Sequence, residues 1–371
     1  MDNPFVFGQS VSGEYFCNRV KEQSDLAAYM RSGQNVFIYS YRRLGKTSLV
    51  KQTMAGLDVK HFTFVFVDME RVSTQAQFVE VYSKALADAM VKVDKLQKIR
   101  NLFGVLVPTF EISPQGEVSF EFNLAKKVSS VQRGLEEVME LPKKIATRYK
   151  RRVVVIFDEF QEVENIGGAT FEKFLRSYIQ HHKDVCYIFM GSKTTVMFDM
   201  FNDPKRAFYR SSSVFPLKAI PAPELVAHMI KCCRKSGKSI SRSLANELVS
   251  MAGGLPHYVQ MLAWHTWETA RGKIAAKHLE QGIKNVLQSQ SDLFQTWYEQ
   301  ATLRQRAVYR ALAVRQDIFS GQALHDFDLG SASTVQSVLR VLVKKGLINH
   351  ENNVYALADP FFGLWLKERK V

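Results

Sequence analysis

Over the first two-thirds of the chain, short apolar runs alternate with helix-length stretches. The runs Asn35–Tyr39, Phe62–Asp68, Val153–Phe157, Val185–Gly191 and Ser213–Leu217 are rich in Val, Ile, Phe and Tyr. They predict the strands of a mainly parallel sheet covered on both faces, hence an α/β domain. Arg71–Arg152 lies between the second and third strands. It opens as a helix, with Phe78, Val81, Tyr82, Ala85, Leu86 and Met90 at helical spacing. The period then changes to two in Thr109-Phe-Glu-Ile and Val118-Ser-Phe-Glu-Phe, around Ser113-Pro-Gln-Gly-Glu. A β-hairpin insertion near 107–122 is expected there, followed by a helix from about Ser129 to Arg148 interrupted at Pro142.

After Pro221-Ala-Pro the pattern turns helical, is punctuated at Gly253-Gly-Leu-Pro and restarts at His257 with Val259, Leu262, Ala263 and Thr266 on one face. From about Gln288 three helices are predicted, at Leu303–Val314, Gly321–Phe327 and Ser331–Lys345, the last behind a Ser cap. Two short strands, Gly346-Leu-Ile-Asn-His and Val354-Tyr-Ala-Leu, flank a Glu351-Asn-Asn turn. Three helices and a β-wing describe a winged helix-turn-helix. The expected division is 1–220, an α/β core with the hairpin; 221–288, a helical section; and 289–371, the winged helix.

Composition adds limits. At 371 residues the chain is too long for one ordinary core. The longest apolar runs, such as Phe64–Val67, are far short of a membrane span, and Met1-Asp-Asn-Pro-Phe carries no secretory pattern. A cytoplasmic location without membrane contact is expected. Four cysteines (17, 186, 232, 233) show no metal or redox spacing and read as free thiols. The net charge of +14 suits a polyanionic partner. Lys143–Arg152 holds six basic residues and Lys231–Arg242 five, neither with an acid; solvated helix faces are the plainer account of both.

The chemistry concentrates at Asn35-Val-Phe-Ile-Tyr-Ser-Tyr-Arg-Arg-Leu-Gly-Lys-Thr-Ser, where Gly45-Lys46-Thr47 follows an apolar strand and opens a helix. That is the setting of a phosphate-binding loop, whose backbone N–H groups face a β-phosphate. Ser40, Arg42, Arg43, Leu44, Gly45 and Ser48 would line it, Lys46 would reach the β and γ oxygens, and Thr47 would ligate Mg²⁺. Ser40 stands where the usual loop has Gly. Val153-Val-Val-Ile-Phe-Asp-Glu supplies the second half: Asp158 for Mg²⁺ and Glu159 to polarise the attacking water. Asp68 ends the neighbouring strand, near the edge where open parallel sheets bind ligands. Ser192, at a third strand end, either orients the γ-phosphate or water, or ends a simple turn. Arg206 and Arg210 are arginine-finger candidates, a surface Arg being the commoner explanation of each.

Phe16-Cys-Asn-Arg19 with Glu22, Arg42-Arg-Leu-Gly-Lys-Thr-Ser-Leu, Phe157-Asp-Glu-Phe-Gln, Gly191-Ser192, Gly254-Leu-Pro256-His257 and Asp359-Pro-Phe-Phe with Trp365 occur in this order. Together they resemble the archaeal-type ATPases, a STAND-related branch of the AAA+-like P-loop proteins also found in bacteria. The resemblance covers nearly the whole chain. It implies a P-loop NTPase core with strand order 5-1-4-3-2, a helical lid and a winged helix. It further implies that Phe16, Arg19 and Pro256 frame adenine and that His257 approaches the phosphates of ATP or ADP. Many relatives carry a further nuclease-like domain, so any effector is expected to be another protein, acting in trans.

An ATP-driven switch is the leading reading, with a nucleotide-sensing DNA-binding protein as the alternative; nothing marks the acceptor site of a small-molecule kinase. From Glu299 to Val371 the chain has ten basic and seven acidic residues, a thin surplus for neutralising phosphates. DNA and a docked protein therefore both remain candidate partners of the winged helix, and the oligomeric state is open.

Overall fold

The computed structural model describes residues 2–91, 93–94, 96–104, 106, 109–112, 118–121, 128–192, 194–315, 317–351 and 353–369. Its contacts divide the chain into two compact units. One comprises Arg19–Arg42 and Lys46–Lys218; the other comprises Met1–Asn18, Arg43–Gly45 and Ala219–Val371.

The first unit is built on five parallel strands: β1 (Val36–Tyr39), β2 (Phe62–Asp68), β3 (Arg152–Asp158), β4 (Val185–Gly191) and β5 (Ser213–Pro216). Their order is β5-β1-β4-β3-β2, as the family resemblance implied. Each predicted strand agrees with the observed one to within a residue at either end. Burial follows position. β4 is buried throughout and Val153–Phe157 of β3 lie at 0% exposure, as central strands covered on both faces should. β2 ends the sheet and alternates instead, Thr63, Val65 and Val67 buried and Phe62, Phe64 and Phe66 half-buried.

The helices of this unit include α1 (Val20–Ser32), α2 (Lys46–Ala55), α3 (Gln75–Val91), α4 (Val128–Tyr149), α5 (Gly168–Ile179) and α6 (Thr194–Asn202). The hairpin strands Thr109–Ile112 and Val118–Glu121 pair antiparallel, while the turn predicted at 113–117 lies outside the described residues. The break expected at Pro142 does not occur: α4 continues through it. A proline inside a helix costs about 3 kcal/mol. Leu135, Val138, Met139, Leu141, Ile145 and Ala146 form one buried stripe spanning the proline, and each large apolar side chain contributes about 1.5–3 kcal/mol. Packing outweighs the lost hydrogen bond.

His182, after α5, is 6% exposed, and its Nδ1 meets the Tyr187 hydroxyl at 2.7 Å. Burial pushes its pKa down to about 4, with Glu140 opposing and Lys143 and His181 adding to the fall. The folded state therefore binds its proton later than the unfolded state on acidification. The stability this contributes is complete above the unfolded pKa near 6.5 and is lost as pH falls from there to about 4, some 3 kcal/mol in all. His182→Gln should show a shallower loss of urea stability between pH 7 and 4.5 than the wild type; parallel curves would exclude His182 as the cause.

The second unit holds α7 (Ala222–Lys235), α8 (Arg242–Met251), α9 (Pro256–Thr269) and α10 (Ala276–Glu299), the last running unbroken across the 288/289 boundary. The winged helix follows: α11 (Leu303–Val314), α12 (Gly321–Asp326), α13 (Ala332–Lys344), then β6 (Ile348–Glu351) paired antiparallel with β7 (Val354–Leu357). Asn352 of the predicted turn is not among the described residues. The expected Ser331 cap is present, its hydroxyl accepting from Thr334 N–H at 3.2 Å. A further helix, α14 (Pro360–Glu368), closes the fold. Asp359 caps it by accepting from the N–H groups of Phe361 and Phe362, and Phe362 and Trp365 pack on Phe294. All four cysteines are buried free thiols. Among the described residues no helix is long and apolar enough to cross a membrane.

Candidate nucleotide site

In the first unit, β1 ends at Tyr39 and α2 begins at Lys46, so the connecting loop delivers Lys46 and Thr47 to a helix N-terminus. Free N–H groups and the helix dipole make such a terminus an anion site. The loop's backbone shows where glycine matters. Ser40 is not among the residues with left-handed backbone, whereas Arg43 (φ 70) and Gly45 (φ 87) are. The Ser in the usual Gly position is thus accommodated. It is 4% exposed, and its hydroxyl donates to the Tyr41 carbonyl at 2.9 Å.

Lys46 is 7% exposed, and its ammonium donates to the Ser40 carbonyl across a long 3.5 Å. Burial lowers its pKa, opposed by Glu159 and Asp158, while Arg42 adds to the fall. A buried cation so weakly bonded is unfavourable unless an anion joins it, which fits a polyphosphate. The Thr47 hydroxyl donates to Asp158 Oδ2 at 2.8 Å. Burial raises the Asp158 pKa, with the Thr47 hydrogen bond opposing. A hydroxyl and a carboxylate in contact beside a phosphate-binding loop are the hard-oxygen pair Mg²⁺ takes, along with substrate phosphates. Leu44 and Ser48 are buried and Arg42 is exposed.

Parallel pairing of β2 with β3 sets Asp68 opposite Asp158 at the same sheet edge. Asp68 is committed locally, accepting from Glu70 N–H and pairing with Arg71 at 3.1 Å. Glu159 takes a left-handed conformation (φ 52) just beyond β3. Its Oε2 accepts from the Ser192 hydroxyl at 2.7 Å, from Ser192 N–H at 3.2 Å and from the Gln161 amide. Arg42 Nε in turn donates to the Ser192 hydroxyl at 3.4 Å. The structure thus brings together Ser40, Arg42, Lys46, Thr47, Asp158, Glu159 and Ser192. Gln161 had no role assigned from sequence, although it ends the Phe157-Asp-Glu-Phe-Gln segment that helps carry the family resemblance.

The arginine candidates separate. Arg206 pairs with Glu172, which is 1% exposed, and with Glu164 at 2.9 Å. Its own chain occupies it, which corrects its candidacy as a finger. Arg210 is exposed, with left-handed backbone (φ 49) and its guanidinium 5.3 Å from the Tyr209 ring. Arg19, 3% exposed, donates to Glu22 and to the Lys218 carbonyl.

The second unit contains Phe16, half-buried after a 3₁₀ turn, and Pro256, the first residue of α9, followed by His257. Burial and then Arg43 push the His257 pKa down to about 4, so its ring is neutral at physiological pH. The Arg43 guanidinium lies 4.7 Å from the Tyr258 ring. Burial raises the pKa of Asp359, an effect that Arg43 and the Tyr258 hydroxyl partly offset. Tyr258 and Asp359 are further residues that sequence reasoning gave no role.

Two sequence profiles match the chain: an ATPase domain predominantly from Archaea over residues 16–262, and a probable winged helix domain over 292–368. No curated protein matches it by sequence. Among solved structures, the Walker-type ATPase paby2304 of Pyrococcus abyssi is 17% identical with a TM-score of 0.68, the alignment covering 98% of this chain and 99% of that one. The ORC2 protein of Aeropyrum pernix, solved as ADPNP-ADP complexes, is 12% identical with a TM-score of 0.58, over 100% and 97%. The ORC1 protein of the same organism, in complex with DNA, is 13% identical with a TM-score of 0.51, over 96% and 94%. At such identities the likeness establishes the fold alone: a P-loop ATPase core followed by a winged helix. Because the first profile spans most of the sequence, the chain belongs to the family of ATPase domains found predominantly in Archaea.

Proposed function

We propose that the protein is a Mg²⁺-dependent ATPase whose nucleotide state switches its ATPase core, a lid at 221–288 and a winged helix at 289–371 between arrangements. The observation that carries this reading is the Thr47–Asp158 hydrogen bond beside the buried Lys46 ammonium, with Glu159 held next to it. Thr47 and Asp158 would hold Mg²⁺, which, when bound, neutralises phosphate charge. Lys46 binds the β and γ oxygens, and Glu159 takes the proton of the attacking water at a carboxylate oxygen. Ser192 orients Glu159 by its hydroxyl and backbone N–H. Phe16, Arg19 and Pro256 frame adenine, and His257 acts as a neutral donor toward phosphate. Arg210, exposed and unpaired with any acid among the described residues, suits a finger supplied to a second copy. A nucleotide can switch these parts only through contacts that differ between the two arrangements.

The alternative, a nucleotide sensor that binds DNA, draws on α13. Ser333, Gln336, Ser337, Arg340 and Lys344 are exposed, and no acid occurs from 329 to 350. An acid-free, hydroxyl- and amide-bearing face suits a helix in a major groove. ATP turnover measured with and without linear duplex DNA distinguishes the readings. DNA-independent turnover supports the switch, with a protein as the effector in trans. Stimulation that disappears in Arg340→Ala/Lys344→Ala supports DNA as the partner. Nucleotide binding without turnover in either condition would leave only the sensor.

A further inference from the structure

The geometry around Glu159 points to a residue the reaction needs but does not touch; this inference rests on Glu159 being the base. Three donors converge on one of its oxygens, Oε2: the Ser192 hydroxyl, the Ser192 N–H and the Gln161 side-chain amide. A carboxylate held so firmly by one oxygen has the direction of the other fixed. Direction is what a general base must have before its pKa matters.

Gln161 is built for this position. It sits in the 3₁₀ turn Phe160–Glu162 after β3 and is 3% exposed. Its Nε2 donates to Glu159, while its own Oε1 is buried with no hydrogen-bond partner. Buried side-chain polar atoms in proteins are mostly paired, so an orphaned amide oxygen beside Glu159 asks for an explanation. The neighbouring strand end makes room for it as well. A Cβ at Gly191 would run into the Gln161 amide oxygen and the Met197 side chain, so the glycine leaves space for both. The left-handed backbone of Glu159, unfavourable for a residue with a side chain, is the kind of local strain that persists where the surroundings over-determine it.

We propose that Gln161 is the positioning residue of this site, holding one oxygen of Glu159 together with Ser192 so that the second is presented to water. Gln161→Met keeps the length of the side chain and loses the donor; Gln161→Leu loses the donor with a shorter apolar side chain. Each should lower kcat by about 10²-fold while KM and the Kd of a non-hydrolysable ATP analogue change by less than about threefold. A second readout needs no turnover. Affinity for ADP with aluminium fluoride, a mimic of the transition state, should fall in parallel with kcat, while affinity for ADP alone is kept.

Wild-type kcat and fluoride-complex affinity in either variant would overturn the proposal. So would faster turnover, which would make the contact a restraint, or an equal loss of analogue binding, which would make it structural. If Gln161→Met does not fold, Gln161→Leu decides. Glu159→Gln, measured in parallel, separates the two ideas. Turnover in that variant removes the base assignment itself, whereas an inactive Glu159→Gln beside a fully active Gln161→Met removes only the role of Gln161.

Discussion

Glu159→Gln is expected to bind ATP as the wild type does and to lose turnover by roughly 10² to 10⁴. The carboxylate is the group at this site placed to take a proton from water, because Asp158 is engaged with the Thr47 hydroxyl. Glutamine has nearly the same shape and can still accept from Ser192 through its carbonyl, so the fold around β3 and β4 should be undisturbed. What it lacks is the capacity to bind a proton at pH 7. The check is single-turnover hydrolysis alongside the Kd of ATP. A wild-type hydrolysis rate would remove Glu159 from the mechanism. A large loss of ATP affinity would mean that the side chain supports the nucleotide and not the chemistry. Asp158→Ala should behave differently, weakening the Mg²⁺-dependent part of binding.

Lys46→Ala is expected to abolish the stabilisation that ATP gives. For the wild type at about 100 times Kd, that stabilisation is about 2.7 kcal/mol. The ammonium is 7% exposed, its hydrogen bond to Ser40 is long, and burial already disfavours its charge. Removing it should therefore leave the nucleotide-free protein as stable as before, or slightly more so. This separates a binding role from a structural one. The variant should melt at the wild-type temperature without ATP and fail to shift with ATP, as read by thermal unfolding at fixed protein concentration. An unchanged ATP shift would place the phosphates elsewhere. A large drop without nucleotide would make Lys46 a structural cation.

The sequence by itself determined the strands and the chemistry of the loop. Five short runs rich in Val, Ile, Phe and Tyr read as strands because they are too short for an ordinary helix and are bounded by turn signals. Gly45-Lys46-Thr47 and Asp158-Glu159 were legible because both lie at strand ends, where a parallel sheet collects its ligand-binding groups. The strand order came from family resemblance, since apolar runs do not say which strands lie at the edges. Thr63, Val65 and Val67 alternate with half-buried Phe62, Phe64 and Phe66 because the two faces of β2, at the end of the sheet, are covered unequally.

Tertiary structure decided the rest, through contacts between residues far apart in the chain. The helix through Pro142 holds because buried side chains on both sides of the proline outweigh one missing hydrogen bond, a balance local propensity cannot express. Arg206 and Arg210 looked alike as basic residues in one polar stretch. Glu172, thirty-four residues away in sequence, occupies the first, while the second stays exposed. Gln161 and Ser192 lie on different strand ends and acquire their roles only where β3 and β4 bring both to one oxygen of Glu159. Hydrogen bonds between strand ends depend on register and backbone twist, and a linear pattern of polar and apolar residues carries neither.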